Sequence, residues 1–245
     1  MASRVTLLGG FVYIALVIKI PEYLQIIHGD SALWAGVHLV PMLGACAFGS
    51  FLGGALSKRA NLTSQTVMAG GVLQILGLAL VLGFSSPPSS SPSLSESTTT
   101  GSNLQGLGLI PLLGFTAIYG LGVGLSFAAC TMIAAIQARN DDLAAAQGAV
   151  AQARVFGGAL GLAACTIIFN AKLLRGAASG AELGQQELGQ IHQSLMVVLA
   201  PLSPPEGVGR EVVMGCYLEA FREQMLVMVV VAVVGLVVGV GTYTR

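Results

Sequence analysis

Charge is the scarcest feature of this sequence. Of 245 residues, 11 are Lys or Arg and 11 are Asp or Glu, far short of the roughly one quarter that water-soluble domains carry. A chain with 54% apolar residues and so few charges cannot cover its surface for water, and the bilayer is the better solvent. The formal net charge is zero and there is no basic tract, which argues against a nucleic-acid partner. Three histidines (His28, His38, His192) have no paired spacing, and four cysteines (Cys46, Cys130, Cys165, Cys216) form no C-x-x-C. Neither a metal nor another cofactor is expected. The motifs G-x-S-x-G and H-E-x-x-H are missing, as is a phosphate-binding loop, so an enzyme is not expected either. The glycines of "YGLGVGLSF" (Gly120, Gly122, Gly124) follow no strand and precede no Lys-Ser/Thr pair, which separates them from nucleotide loops. No removable leader with a small-residue cleavage site is expected at the start.

What the sequence has is long apolar runs. Crossing about 30 Å of hydrocarbon takes about 20 apolar residues as a helix. Six stretches qualify: Val5–Ile27, Ala32–Leu56, Thr66–Phe84, Leu109–Ile136, Val150–Leu173 and Met225–Tyr243. They do not alternate as barrel strands must. The expected fold class is an all-α membrane protein of six transmembrane helices. Residues 1–84 hold the first three spans and 107–174 the next two, while 225–245 hold the last span and a short tail. Between them, 85–106 is Ser/Thr/Pro-rich and is expected to be disordered. The stretch 175–224 is expected to carry two surface helices, one with Leu188, Ile191, Leu195 and Val198 at helical spacing, the other leading into the last span.

Orientation follows from Lys and Arg in short connections. Lys58 and Arg59 join the second and third spans, Arg139 joins the fourth and fifth, and the first connection has neither residue type. The basic connections and both termini are therefore expected in the cytoplasm. Asn61-Leu62-Thr63, an acceptor pattern for glycosylation, is expected to stay unmodified there.

Polar residues inside the spans mark candidate sites. Lys19 and Glu22 flank Pro21 and share a helix face. They either snorkel to the outer headgroups or line a gate, with Gln25 a turn further on. His38 belongs to the outer interface or to a cavity. Tyr119, Ser126, Cys130 and Gln137 fall on one stripe of the fourth span, either a cavity wall or a packing face with a polar end. In the fifth span, Arg154, Gly158, Gly161 and Cys165 share a face that Gly157 widens, suited to tight helix contact. Thr166 and Asn170 lie on another side, toward the outer end. Arg154 is expected near the cytoplasmic end, where it snorkels, binds a loop or lines a cavity. Gly49, Gly53, Gly120 and Gly124 are the further candidates for helix packing. No acidic residue lies deep in any span, so no proton carrier is assigned.

The ordered motifs "PEYLQ", "GDSALWAG", "GVHLVP", "GGALSKR", "YGLGVGLSF", "DLAAAQGAVAQARVFGGALG" and "CYLEAFREQ" resemble the carboxy-terminal half of a major facilitator superfamily transporter. The resemblance is to the fourteen-span drug:proton antiporter branch common in fungi. It covers almost the whole chain, with departures at Lys19 and Glu22, where that branch carries an aromatic and an apolar residue. It implies one major-facilitator-type half bundle and export of small, amphipathic molecules, drug-like or secondary metabolites, by alternating access. The first, second, fourth and fifth spans would line the cavity. It also implies the plasma membrane, with the vacuolar membrane as the alternative. The bilayer and a small-molecule substrate are the expected partners, together with a missing amino-terminal half or a second copy if the sequence is a truncated product. The rival reading is a six-helix scaffold or regulatory partner without transport.

Overall fold

The computed structural model describes residues 2–28, 31–60, 63–84, 102–138, 142–180 and 210–241. Asn61, Arg139, the surface helix expected around Leu188 and most of the Ser/Thr/Pro-rich stretch lie outside the described residues. The elements are α1 (Ala2–Tyr23), a π-helical turn (Leu24–His28), α2 (Ala32–Val37), α3 (Val40–Ala60), α4 (Thr63–Phe84), α5 (Ser102–Gln137), α6 (Leu143–Gly180) and α7 (Arg210–Val240). Among the described residues there is no strand. Six spans are long and apolar enough to cross a membrane: Ser3–Ile26, Ala32–Ser57, Thr63–Gly83, Pro111–Gln137, Leu143–Lys172 and Tyr217–Val240. The chain is an all-helical, multi-pass membrane protein.

Proline sets the irregularities. Pro21 has no N–H for the helix ladder, and α1 absorbs it by running on into the wider π turn at Leu24. Pro41 likewise cannot bond back to Val37, and there the second span breaks into α2 and α3. Bonds from the His38 N–H to the Trp34 carbonyl (3.0 Å) and from the Leu39 N–H to the Gly36 carbonyl (3.1 Å) close the joint.

Three boundaries differ from the sequence reading. Helix α5 starts at Ser102, inside the stretch expected to be disordered. Helix α6 starts at Leu143, before the apolar run at Val150, because the Ala-rich "LAAAQGAVAQ" favours helix without being strongly hydrophobic. Helix α7 runs unbroken from Arg210, so the segment expected as a separate helix is continuous with the last span. No proline interrupts it.

The chain forms two compact units, Met1–Ala163 with Met225–Arg245, and Ala164–Gln224. In the first, glycines let helix backbones meet. On the α3–α5 seam, a Cβ on Gly49 or Gly53 would press on Leu121 or Ala128, and one on Gly120 or Gly124 on Met42 or Cys46. Against α4, Gln74 donates from Nε2 to the Ser126 Oγ (2.8 Å) and to the Gly122 carbonyl (3.3 Å). Helix α1 is held the same way: Gly157, Gly158 and Gly161 of α6 abut Leu7, Ile14 and Phe11, and Gly235 of α7 lies against Leu8. So α5 threads between α3 and α4 much as α1 threads between α6 and α7, the arrangement expected of two inverted three-helix repeats. Val72, Leu76 and Leu80 of α4 and Val230, Val233 and Val237 of α7 are exposed, spaced as lipid-facing stripes.

In the second unit, the buried Gln224 donates from Nε2 to the Cys165 carbonyl (3.1 Å). Lys172 Nζ pairs with Glu219 (3.3 Å) and Glu223 (2.5 Å). Phe169, Tyr217 and Phe221 form an aromatic ladder with centroid spacings of 5.7 and 6.5 Å.

Candidate functional site

The site is built from residues at one depth. Arg154 lies eleven residues into α6, about 16 Å along its axis. Tyr13 lies eleven residues into α1, and Phe127 lies ten residues before the end of α5. Cys46 lies eleven residues before Ser57, the end of its span. These termini fall on the same side of an up-and-down chain, so the four residues lie at a similar distance from that side. The start of the fifth span expected at Val150 puts Arg154 near one end; with the helix beginning at Leu143, it lies somewhat over a third of the way along the span Leu143–Lys172.

At that level the side chains converge. The guanidinium carbon of Arg154 sits 3.8 Å from the centroid of the Phe127 ring. Tyr13 meets the same ring edge-on, with centroids 5.6 Å apart and planes at 84°. Cys46, Cys130 and Tyr13 are electrostatic neighbours of Arg154. Phe127 is buried, while Tyr13, Cys46 and Arg154 are half-exposed, so the cluster has a buried floor and an accessible edge. The Arg154 Nε is buried without a hydrogen-bond partner, and among the described residues no ion pair involves Arg154. The arginine is held by a ring face, and its hydrogen-bonding capacity stays available. A cation at this depth costs at least about 2.5 kcal/mol without compensation. Tyr119 packs behind the cluster, two turns outward, with its hydroxyl buried and unbonded.

Other candidates from the sequence fall elsewhere. Lys19 and Glu22 form an ion pair of 2.7 Å, with side chains 8% and 15% exposed. They are bound to each other inside the protein rather than extended to the headgroups. Gln25 and Gln137 are exposed. His38 is half-buried and lies 6.4 Å from the exposed Trp34 ring. The stripe of Tyr119, Ser126 and Cys130 meets α4 at Gly77, Gln74 and Val67, and Thr6 of α1 lies beside Cys130. A cavity of about 30 Å³ lies beside Thr6, Gln74, Ser126 and Cys130, room for a water and far below the hundreds of Å³ that a drug-sized ligand needs. In the second unit, Thr166 is exposed and Asn170 half-buried.

Sequence reasoning singles out Arg154 and Tyr119 but not their neighbours Tyr13, Cys46 and Phe127. Their signal was depth: each lies ten or eleven residues from the same-side end of its span.

No family model matches the chain. Among curated relatives it is similar to the MFS-type transporter FPY5 of Fusarium mangiferae, 31% identical over 160 residues, 65% of this chain and 24% of that protein. It is also similar to the Dehydrocurvularin exporter of Alternaria cinerariae, 25% identical over 66% of this chain and 25% of that protein. For the Efflux pump DEP3 of Fusarium langsethiae the identity is 27%, over 69% of this chain and 27% of that protein. The chain spans about a quarter of the length of these relatives. It is thus similar to a segment of fungal major facilitator transporters and efflux pumps.

Proposed function

We propose that this chain forms the carboxy-terminal half of an alternating-access exporter of small amphipathic molecules, with the cluster around Arg154 as part of its substrate path. The observation that carries this reading is Arg154 on Phe127, a half-exposed cation within the fifth span beside residues from α1, α3 and α5. Intramembrane charge is costly and marks substrate or ion paths, and transporter sites lie near the midplane where repeats meet. The fungal efflux pumps and exporters similar to this chain support the same reading. We place the α3–α4 and α5–α6 connections in the cytoplasm and the protein in the plasma membrane. An amino-terminal half completes the cavity, and any antiport coupling would draw on residues outside this chain.

The test is efflux from cells that express the chain, alone and together with the amino-terminal half of a relative. The probes are one neutral, one cationic and one anionic fluorophore of amphipathic type. Expression is expected to speed the loss of at least one probe, and Phe127→Ala at equal abundance to slow it. Efflux matching that of empty cells in both settings for all three probes would overturn the reading.

A further inference from the structure

The charge inventory of the site points to its ligand. Arg154 brings a positive charge into the fifth span, and among the described residues no acidic side chain pairs with it. Glu22 is bound to Lys19, and Glu219 and Glu223 are bound to Lys172. Asp142 precedes the first residue of α6, twelve residues before Arg154. The remaining acids of the eleven in the sequence lie outside the six spans. Phe127 stabilises the cation but takes none of the hydrogen-bond geometry that a guanidinium offers to a carboxylate. The edge of the cluster is half-exposed, and there the Tyr13 ring, itself against the buried Phe127, stands beside the charge as surface for a flat apolar body.

We infer that the cluster around Arg154 is an oxyanion subsite and that its preferred substrate is an amphipathic acid, an aromatic or apolar body bearing a carboxylate. The inference rests on the exporter reading and narrows its substrate class. Arg154 lies about 16 Å along its helix from Leu143, which favours a bound acid over a lipid headgroup as the source of this anion. The acid would bind with its carboxylate on the guanidinium and its ring against Tyr13. Tight binding then needs both parts, and a cationic analogue is repelled.

The test uses the whole chain in phosphatidylcholine nanodiscs and two probes of one shape, 1-naphthoate and the neutral 1-naphthamide. The chain is expected to prefer the acid by about tenfold or more, the margin of a charge-assisted hydrogen-bonded pair. Arg154→Gln is expected to abolish the preference, with Arg154→Lys in between. Equal binding of acid and amide by the unsubstituted chain overturns the oxyanion subsite and leaves the exporter reading standing; an acidic residue from outside this chain would then be the counter-charge. If neither probe binds, both readings lose their site. Persistence of the preference in Arg154→Gln also overturns the assignment. Should that variant not fold, the acid-to-amide ratio of the unsubstituted chain decides the matter alone.

Discussion

Arg154 and Phe127 stand 3.8 Å apart, guanidinium carbon to ring centroid, on helices α6 and α5. The contact gives a cation within a candidate membrane span an aromatic face in place of water. Phe127→Leu keeps an apolar side chain and removes that face. It is expected to cost about 1 kcal/mol of stability and to weaken naphthoate binding, whereas Phe127→Trp retains both. Thermal unfolding in detergent and naphthoate titration would check this. Equal behaviour of the Leu and Trp variants would show that the ring face contributes nothing.

Gly124 is a close-contact position. A Cβ there would lie 2.7 Å from the Ser50 amide nitrogen, with the Cys46 carbonyl nearer still. Gly124→Val must push α3 from α5 and is expected to cost 1–3 kcal/mol or more, about the range for overpacking. Gly54 has open space around it, so Gly54→Ala is expected to be neutral or to stabilise by about 0.5 kcal/mol. The two melting temperatures, compared with that of the unsubstituted chain, decide between a packing seam and a merely flexible one.

Gln74 and Ser126 couple α4 to α5 through a 2.8 Å hydrogen bond. Interhelical hydrogen bonds in membranes average about 0.6 kcal/mol and reach about 1.7 kcal/mol. A double-mutant cycle with Gln74→Leu and Ser126→Ala is expected to return a coupling energy in that range. A value near zero would mean that Gln74 stabilises through the Gly122 carbonyl alone.

The Lys19–Glu22 pair is largely buried. Removing one partner of such a pair costs about 3 kcal/mol, while replacing both by apolar residues is close to neutral. Glu22→Leu alone is therefore expected to lower the yield of folded protein more than Lys19→Met with Glu22→Leu. If the single and double variants accumulate equally, Lys19 reaches the headgroups on its own and the ion pair is incidental.

The number and approximate place of the spans were legible in the sequence, because hydrocarbon thickness and helical rise translate directly into about 20 apolar residues. The shared face of Gly157, Gly158 and Gly161 was legible too, since helical period is a local property. Which helix meets that face was not: Leu7, Phe11 and Ile14 lie some 150 positions earlier in the chain. The start of α6 was not legible, because hydropathy undervalues alanine and glycine, which extend the helix to Leu143 without raising its apolar signal. Lys19 and Glu22 showed a shared face, and only packing decided that they turn to each other inside the protein. Local periodicity and composition are properties of single segments, so the sequence alone determined a six-span helical membrane protein with small-residue faces. The Arg154 cluster gathers residues from α1, α3, α5 and α6, and only the steric fit of those helices against one another could bring them together.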